Sequence, residues 1–134
     1  MQTRTRLAAV IIKDNKILLV KGPKRFKEYW TPGGRQEEGE SDKETLSREL
    51  KEELGVDVVK SRFFKEYICD SPYVPGTKSI VRMYITKIKG EPKPSAEVTE
   101  CTWMSRKDFE NKKYPLVDIT QEEIIPELIK ESIF

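Results

Sequence analysis

The 134-residue sequence contains no histidine. That absence excludes Ser-His-Asp and Cys-His nucleophiles, HExxH zinc sites and imidazole bases. Any acid–base or metal chemistry must run on carboxylates, lysines, tyrosines or metal-bound water. Cysteine is scarce as well. Cys69 and Cys101 make neither a C-x-x-C pair nor a metal-finger spacing, and both fall in apparent strands, so they read as buried free thiols. Long apolar runs are missing too. The longest aliphatic stretch, Leu7 to Ile12, is far shorter than a membrane span, and no charged-then-apolar leader opens the chain. The expectation is a reduced, cytoplasmic protein with no membrane partner. Charge of one sign is also lacking: 25 basic and 23 acidic residues leave a net +2, so no polyelectrolyte field favours nucleic acid. The length suits one domain, residues 1–134, with one core.

Within that frame the chain alternates strand and helix signals. Arg6 to Lys13 is rich in aliphatic and β-branched residues, Asp14-Asn15 is a turn signal, and Ile17 to Val20 returns, which together predict a hairpin. Gly22-Pro23 ends the second strand and opens a basic loop containing Lys24, Arg25 and Lys27. Ser41 followed by Glu44 is a capping-box start to a helix. Leu46, Leu50 and Leu54 give that helix a buried stripe, and Gly55 is its stop. Val58 to Cys69 predicts a strand interrupted at Ser61-Arg62, and Ser79 to Ile88 another; a Pro/Gly loop from Asp70 to Lys78 joins them. Thr99 to Met104 is a short strand, and Ser105 with Asp108 marks a second capped helical turn. Thr120 to Ile133 is apolar at helical spacing, with Pro126 either starting that helix or kinking it. This tail is expected to cover the core. Strands mixed with two or three helices predict a sheet sandwiched between helices.

The chemistry concentrates between Gly34 and Val56. Glu49, Glu52 and Glu53 share one arc of a helix, since successive residues are about 100° apart. Like charges at i,i+4 destabilise a helix by a few tenths of a kcal/mol, and a cation resting on the arc would remove that cost. Three hard oxygen ligands suit Mg²⁺ or Mn²⁺. Taken alone, the arc also fits a solvated acidic face. The full spacing separates the two. Gly34, Glu40, Arg48-Glu49-Leu50, Glu52-Glu53 and Gly55-Val56 occupy all nine defined positions of G-x5-E-x7-R-E-U-x-E-E-x-G-U, where U is aliphatic, within 23 residues. This pattern resembles the Nudix box, and the approach Tyr29-Trp30-Thr31-Pro32-Gly33-Gly34 is also similar to the family's, apart from Thr31 where an aliphatic residue is usual.

The resemblance implies an α/β (α+β) Nudix fold, a mixed β-sheet sandwiched between α-helices, in a small MutT-like hydrolase. It implies that Glu52 and Glu53 bind metal, with Glu49 a further ligand or the group that orients water, and that the Gly33 carbonyl completes the shell. Glu40 and Arg48 would hold loop and helix in register, with Gly34 and Gly55 supporting the box; for Glu40 and Arg48 an ordinary surface salt bridge is the alternative. Small MutT-like members often use an extra carboxylate in the loop before a strand bearing tryptophan. Glu97, six residues before Trp103, is that candidate, and Glu100 competes with it. Lys24, Arg25 and Lys27 are candidates for polyphosphate binding, or else a solvated turn. Phe26 and Tyr73 are candidates for base stacking, or else cover the core edge.

Such enzymes hydrolyse a nucleoside diphosphate linked to another moiety. Pro72 and Tyr73 are adjacent cues to different substrates, one to ADP-ribose and one to dinucleoside polyphosphates. Chain length and the Glu97–Trp103 spacing favour a nucleoside triphosphate or modified nucleotide, released as the monophosphate. The alternatives are an ADP-ribose, nucleotide-sugar or dinucleoside polyphosphate hydrolase, or a non-catalytic nucleotide-binding domain. A monomer and a homodimer are both open.

Overall fold

Residues 3–22, 27–70 and 76–134 are described by the computed structural model. Along the chain run β1 (Thr3–Val10), β2 (Ile12–Lys13), β3 (Lys16–Lys21), β4 (Gly33–Arg35), α1 (Asp42–Leu54), β5 (Asp57–Asp70), β6 (Lys78–Lys89), β7 (Glu100–Ser105), α2 (Arg106–Glu110) and α3 (Ile125–Lys130). The second half of β1, Leu7 to Val10, is aliphatic without alternation because both of its faces are covered. Leu7 and Ala9 point into one apolar cluster, Ala8 and Val10 into the other. A strand buried on both sides reads as a continuous apolar run.

Two sheets carry the fold. The mixed one has the order β4-β1-β6-β5, and the other the order β2-β3-β7. β1 lies parallel to β6 and antiparallel to β4. The predicted hairpin of Arg6–Lys13 with Ile17–Val20 is present only in part, as β2–β3: the first run breaks at Ile11, and its larger part, in β1, joins the other sheet. Asp14 and Asn15 both take positive φ, 52° and 62°, between the paired Lys13 and Lys16, the two-residue turn whose twist matches its strands.

Helices close the two faces. Leu46, Leu50 and Leu54 of α1 are fully buried against Leu7, Leu18 and Val20. Truncating one such leucine to alanine costs about 2–5 kcal/mol. On the other face Ile124, Ile125 and Leu128 pack with Val10, Met83 and Met104, so the apolar tail covers the core as expected. The result is α/β (α+β), sheet between helices. Both capping boxes form: Ser41 Oγ accepts from Glu44 N at 3.2 Å while Glu44 returns a bond to Ser41 N at 2.9 Å, and Ser105 and Asp108 do likewise. Gly55, at φ 67°, ends α1 in the left-handed conformation that glycine adopts without strain.

Further local features depart from expectation. β5 is not interrupted at Ser61-Arg62; it runs through, and register shifts at Val58/Lys60 and Phe63/Lys65 absorb the irregularity. β4 was not foreseen as a strand, because Gly-Gly-Arg has no intrinsic strand preference and pairs only because β1 presents a ladder. A π-helical turn, Thr120–Ile124, precedes α3, and Pro126 sits in the first turn of α3. Proline cannot donate to the preceding turn, and widening that turn relieves its ring. Cys69 and Cys101 are free and only partly buried, enough that burial raises both thiols. Among the described residues, no helix is long and apolar enough to cross a membrane.

Candidate active site

The β1–β4 ladder delivers Gly33 and Gly34 opposite Ala8 and Leu7, directly beneath α1. Gly33 N lies 3.4 Å from Glu53 Oε1 and donates to it. Gly33 has φ 151°, and a Cβ there would stand 2.0 Å from the Leu7 carbonyl oxygen. At Gly34 a Cβ would stand 2.2 Å from the Glu49 carboxyl carbon. Both glycines are therefore spaces that neighbours fill: one by β1 backbone, the other by the Glu49 carboxylate.

Arg48 organises the acids around it. Its Nε donates to Glu40 Oε2 at 2.7 Å and its Nη2 to Glu40 Oε1 at 2.8 Å, a two-pronged pair. Nη1 donates to Glu49 Oε1 at 2.7 Å, and Nη2 also reaches the Arg35 carbonyl at 3.1 Å. Glu40 accepts further bonds from Glu37 N and Thr45 Oγ1. One guanidinium thus joins the box loop, β4 and α1. The Arg48 bond, with help from Glu37 N, holds the Glu40 carboxyl down at about 2 against an ordinary 4.5, and Glu40 in turn raises Arg48. A depressed carboxylate stabilises the fold above its ordinary value, and that contribution is lost as pH falls from 4.5 through about 2. The melting-temperature gap between wild type and Glu40→Gln is therefore expected to be widest above pH 5 and to close towards pH 2. A gap that stays constant over that range would show that Glu40 does not titrate with folding.

Glu53 is the most perturbed acid. Burial pushes its carboxyl up to about 8; the positive charge of Arg6 opposes this, while the hydrogen-bonded neighbour Glu49 adds to it. Two carboxyls this close share a proton more readily than they both ionise. Glu49 is also well covered, its side chain 14% exposed, whereas Glu52 is 54% exposed and lies 3.7 Å from Arg48. Among the described residues, no three acidic or sulfur side chains converge on one point. The structure brings Glu49 and Glu53 together and leaves Glu52 at the rim.

The loop before β7 is hooked onto the end of α1. Ser95 N donates to the Glu53 carbonyl at 2.8 Å and Lys93 N to that of Leu54 at 3.0 Å. Glu97, exposed, lies two residues beyond Ser95, with its own carbonyl against Gly22. Glu100 is engaged elsewhere: it accepts from Tyr29 Oη at 3.1 Å and pairs with Lys21 at 3.7 Å. Lys27 is exposed. Lys24, Arg25, Phe26 and Tyr73 lie outside the described residues.

Sequence reasoning missed two contributors. Arg6 acts on Glu53 from β1, and only the β1–β4 register places it there. Asp42 accepts from Gln36 Nε2 at 2.9 Å, Arg82 Nη1 at 3.1 Å and Tyr84 Oη at 2.6 Å, tying the helix start to the box loop and to β6. The one available signal for Asp42 was its place in the first turn of a capped helix.

The NUDIX domain family model matches residues 2–128. The chain belongs to the Nudix family. This Nudix domain is 41% identical over 59 residues to an 8-oxo-dGTP diphosphatase of Buchnera aphidicola subsp. Schizaphis graminum, covering 42% of this chain and 45% of that protein. It is 26% identical over 106 residues to the uncharacterized Nudix hydrolase YvcI of Bacillus subtilis, covering 76% and 66%. The chain thus spans about half to two thirds of the length of these curated relatives. Among solved structures, the MutT protein from Methanosarcina mazei Go1 superposes with a TM-score of 0.83 at 20% identity, over 98% of this chain and 96% of that one. The E. coli ORF135 protein gives 0.78 at 26% identity, over 96% and 91%. These solved structures show the Nudix fold.

Proposed function

We propose that this Nudix domain, spanning residues 1–134, is a divalent-metal-dependent pyrophosphohydrolase. Its substrate class is a nucleoside triphosphate or modified nucleotide, cleaved at a P–O–P bond to release a nucleoside monophosphate. The observation that carries this reading is the paired Glu49 and Glu53 set against Gly33 and Gly34, with Arg48 locking Glu49 in place. The Buchnera relative supports a modified nucleotide as substrate. The same features fit a divalent cation: hard oxygen donors, and a half-buried Glu53 carboxyl that a nearby cation would help to ionise.

In this reading Glu49, Glu52 and Glu53, with the Gly33 carbonyl and Glu97, hold Mg²⁺ or Mn²⁺. When bound, the cation neutralises phosphate oxygens and lowers the pKa of water. Arg48 keeps Glu49 aimed at the site while its own charge is held by Glu40. Glu53 holds or releases a proton at its carboxyl, and Arg6 biases it towards release. Gly33 and Gly34 let backbone and carboxylate approach without an intervening side chain. Lys27, with Lys24 and Arg25, would meet the polyphosphate at the entrance. Phe26 and Tyr73 would flank the base. The setting is cytoplasmic, the partner a small nucleotide, with neither membrane nor nucleic acid required, and the assembly a monomer or homodimer.

The test is a panel of NTPs, oxidised dNTPs, ADP-ribose, nucleotide sugars and dinucleoside polyphosphates, each with Mg²⁺, with Mn²⁺ and with excess chelator. Turnover of a triphosphate to its monophosphate, abolished by chelator, is expected. Full activity after exhaustive chelation would sink the mechanism, preference for ADP-ribose would overturn the substrate, and binding without turnover would make this a sensor domain. On the best substrate, Glu97→Gln is expected to lower kcat far more than it raises KM, as loss of a transition-state interaction does. Glu100→Gln is expected to stay near wild type, because its partners are Tyr29 and Lys21. A loss at Glu100 with none at Glu97 would reverse the assignment.

A further inference from the structure

A cavity lies beyond the C-terminal end of β1, and its lining residue Gly90 abuts Val56, the last residue of the box. Its volume is about 570 Å³, within the range of small-molecule sites. Isoleucine side chains and Trp103 form its apolar lining, and Lys13, Lys60, Arg62 and Lys87 supply four cationic groups. No residue from Gly33 to Val56 lines it.

The charges are the unusual part. Lys60 and Lys87 stand directly opposite each other across the β5–β6 ladder, with Arg62 next on the same face of β5. Like charges directly opposite in a ladder are destabilising. Among the described residues, none of the four cations has an ion pair or side-chain hydrogen bond, whereas Lys65, Lys78 and Arg82 of the same ladder pair with Glu127, Asp70 and Glu66. Glu91 sits between the lining residues Gly90 and Pro92 without entering the lining. A chain whose overall charge is only +2 thus gathers four uncompensated cations around one cavity.

We propose that this cavity binds a nucleotide at a site separate from the box. Lysine and arginine suit phosphate, and Trp103 with the isoleucines gives the flat base an apolar surface. The size commits the site to a small molecule, and the lining commits that molecule to a ring joined to an anion. Binding in this cavity does not depend on hydrolysis at the box.

The probes are AMP, adenosine and inorganic phosphate, titrated into ¹⁵N-labelled protein with EDTA present. AMP is expected to shift the Trp103 indole N–H and the Lys60 and Lys87 amides saturably, more tightly than adenosine or phosphate alone. The double variant Lys60→Glu/Arg62→Glu is expected to weaken that binding at least tenfold, while turnover of the best panel substrate and the melting temperature stay near wild type. Three results would overturn the site: shifts confined to Gly33 and Glu53, phosphate binding as tightly as AMP, or undiminished AMP affinity in a folded double variant.

Discussion

Glu53→Gln is expected to cut turnover by roughly two to four orders of magnitude, the range for removing a group that handles a proton or developing charge. The substitution keeps shape and removes charge, and the Leu46–Leu50–Leu54 stripe that holds α1 down is untouched. Stability should move the other way. Burial raises the Glu53 carboxyl to about 8 from 4.5. A carboxyl raised by folding is no burden below 4.5, and ionising it costs stability as pH rises through about 8. The metal-free variant is therefore expected to melt at or above the wild-type temperature at pH 8, and at a similar temperature at pH 5. Low activity with a clearly lower melting temperature at pH 8 would point to a structural role instead. A folded variant keeping more than about a third of the wild-type rate would remove Glu53 from the site.

The two adjacent glycines are expected to separate folding from catalysis. Alanine at Gly33 would place its Cβ 2.0 Å from the Leu7 carbonyl and 2.8 Å from Ala8 Cα. The β1 backbone cannot yield without opening the β1–β4 ladder, so a loss of about 3 kcal/mol or more is expected, enough to lower the melting temperature by roughly 10 °C. The three atoms nearest an alanine Cβ at Gly34 all belong to the carboxylate of Glu49, at 2.2–2.6 Å. A side chain can swing aside, so Gly34→Ala should fold. It would pull Glu49 from its 2.7 Å bond to Arg48 and lower kcat by about 10²-fold, as misplacement of a positioned group does. Thermal melts and kinetics on the two variants check both halves. Equal melting temperatures would show that the β4 backbone is more pliable than the packing implies.

Alanine at Gly34 is informative because the box spacing names both Gly34 and Glu49, yet nothing in the sequence says that one occupies the space of the other. What the sequence determined was local. Ser41 with Glu44 starts α1, Gly55 stops it, and the leucines at every fourth position select its buried face, because helix period and cap chemistry act within a few residues. The Asp14-Asn15 turn and the unbroken aliphatic run of β1 are legible for the same reason, as are the nine box positions.

What the tertiary structure decided involves partners distant in the chain. β4 exists because β1 offers a ladder to a segment with no strand preference of its own. Arg6 faces Glu53, and Asp42 meets Arg82 and Tyr84, through strand register that no local pattern encodes. Glu53 is half-buried while Glu52, one residue away, is exposed, because Glu53 turns from α1 towards β4, where Gly33 N meets its carboxylate. Lys60 and Lys87 face each other for the same reason: pairing β5 with β6 sets their separation, and sequence distance does not report it.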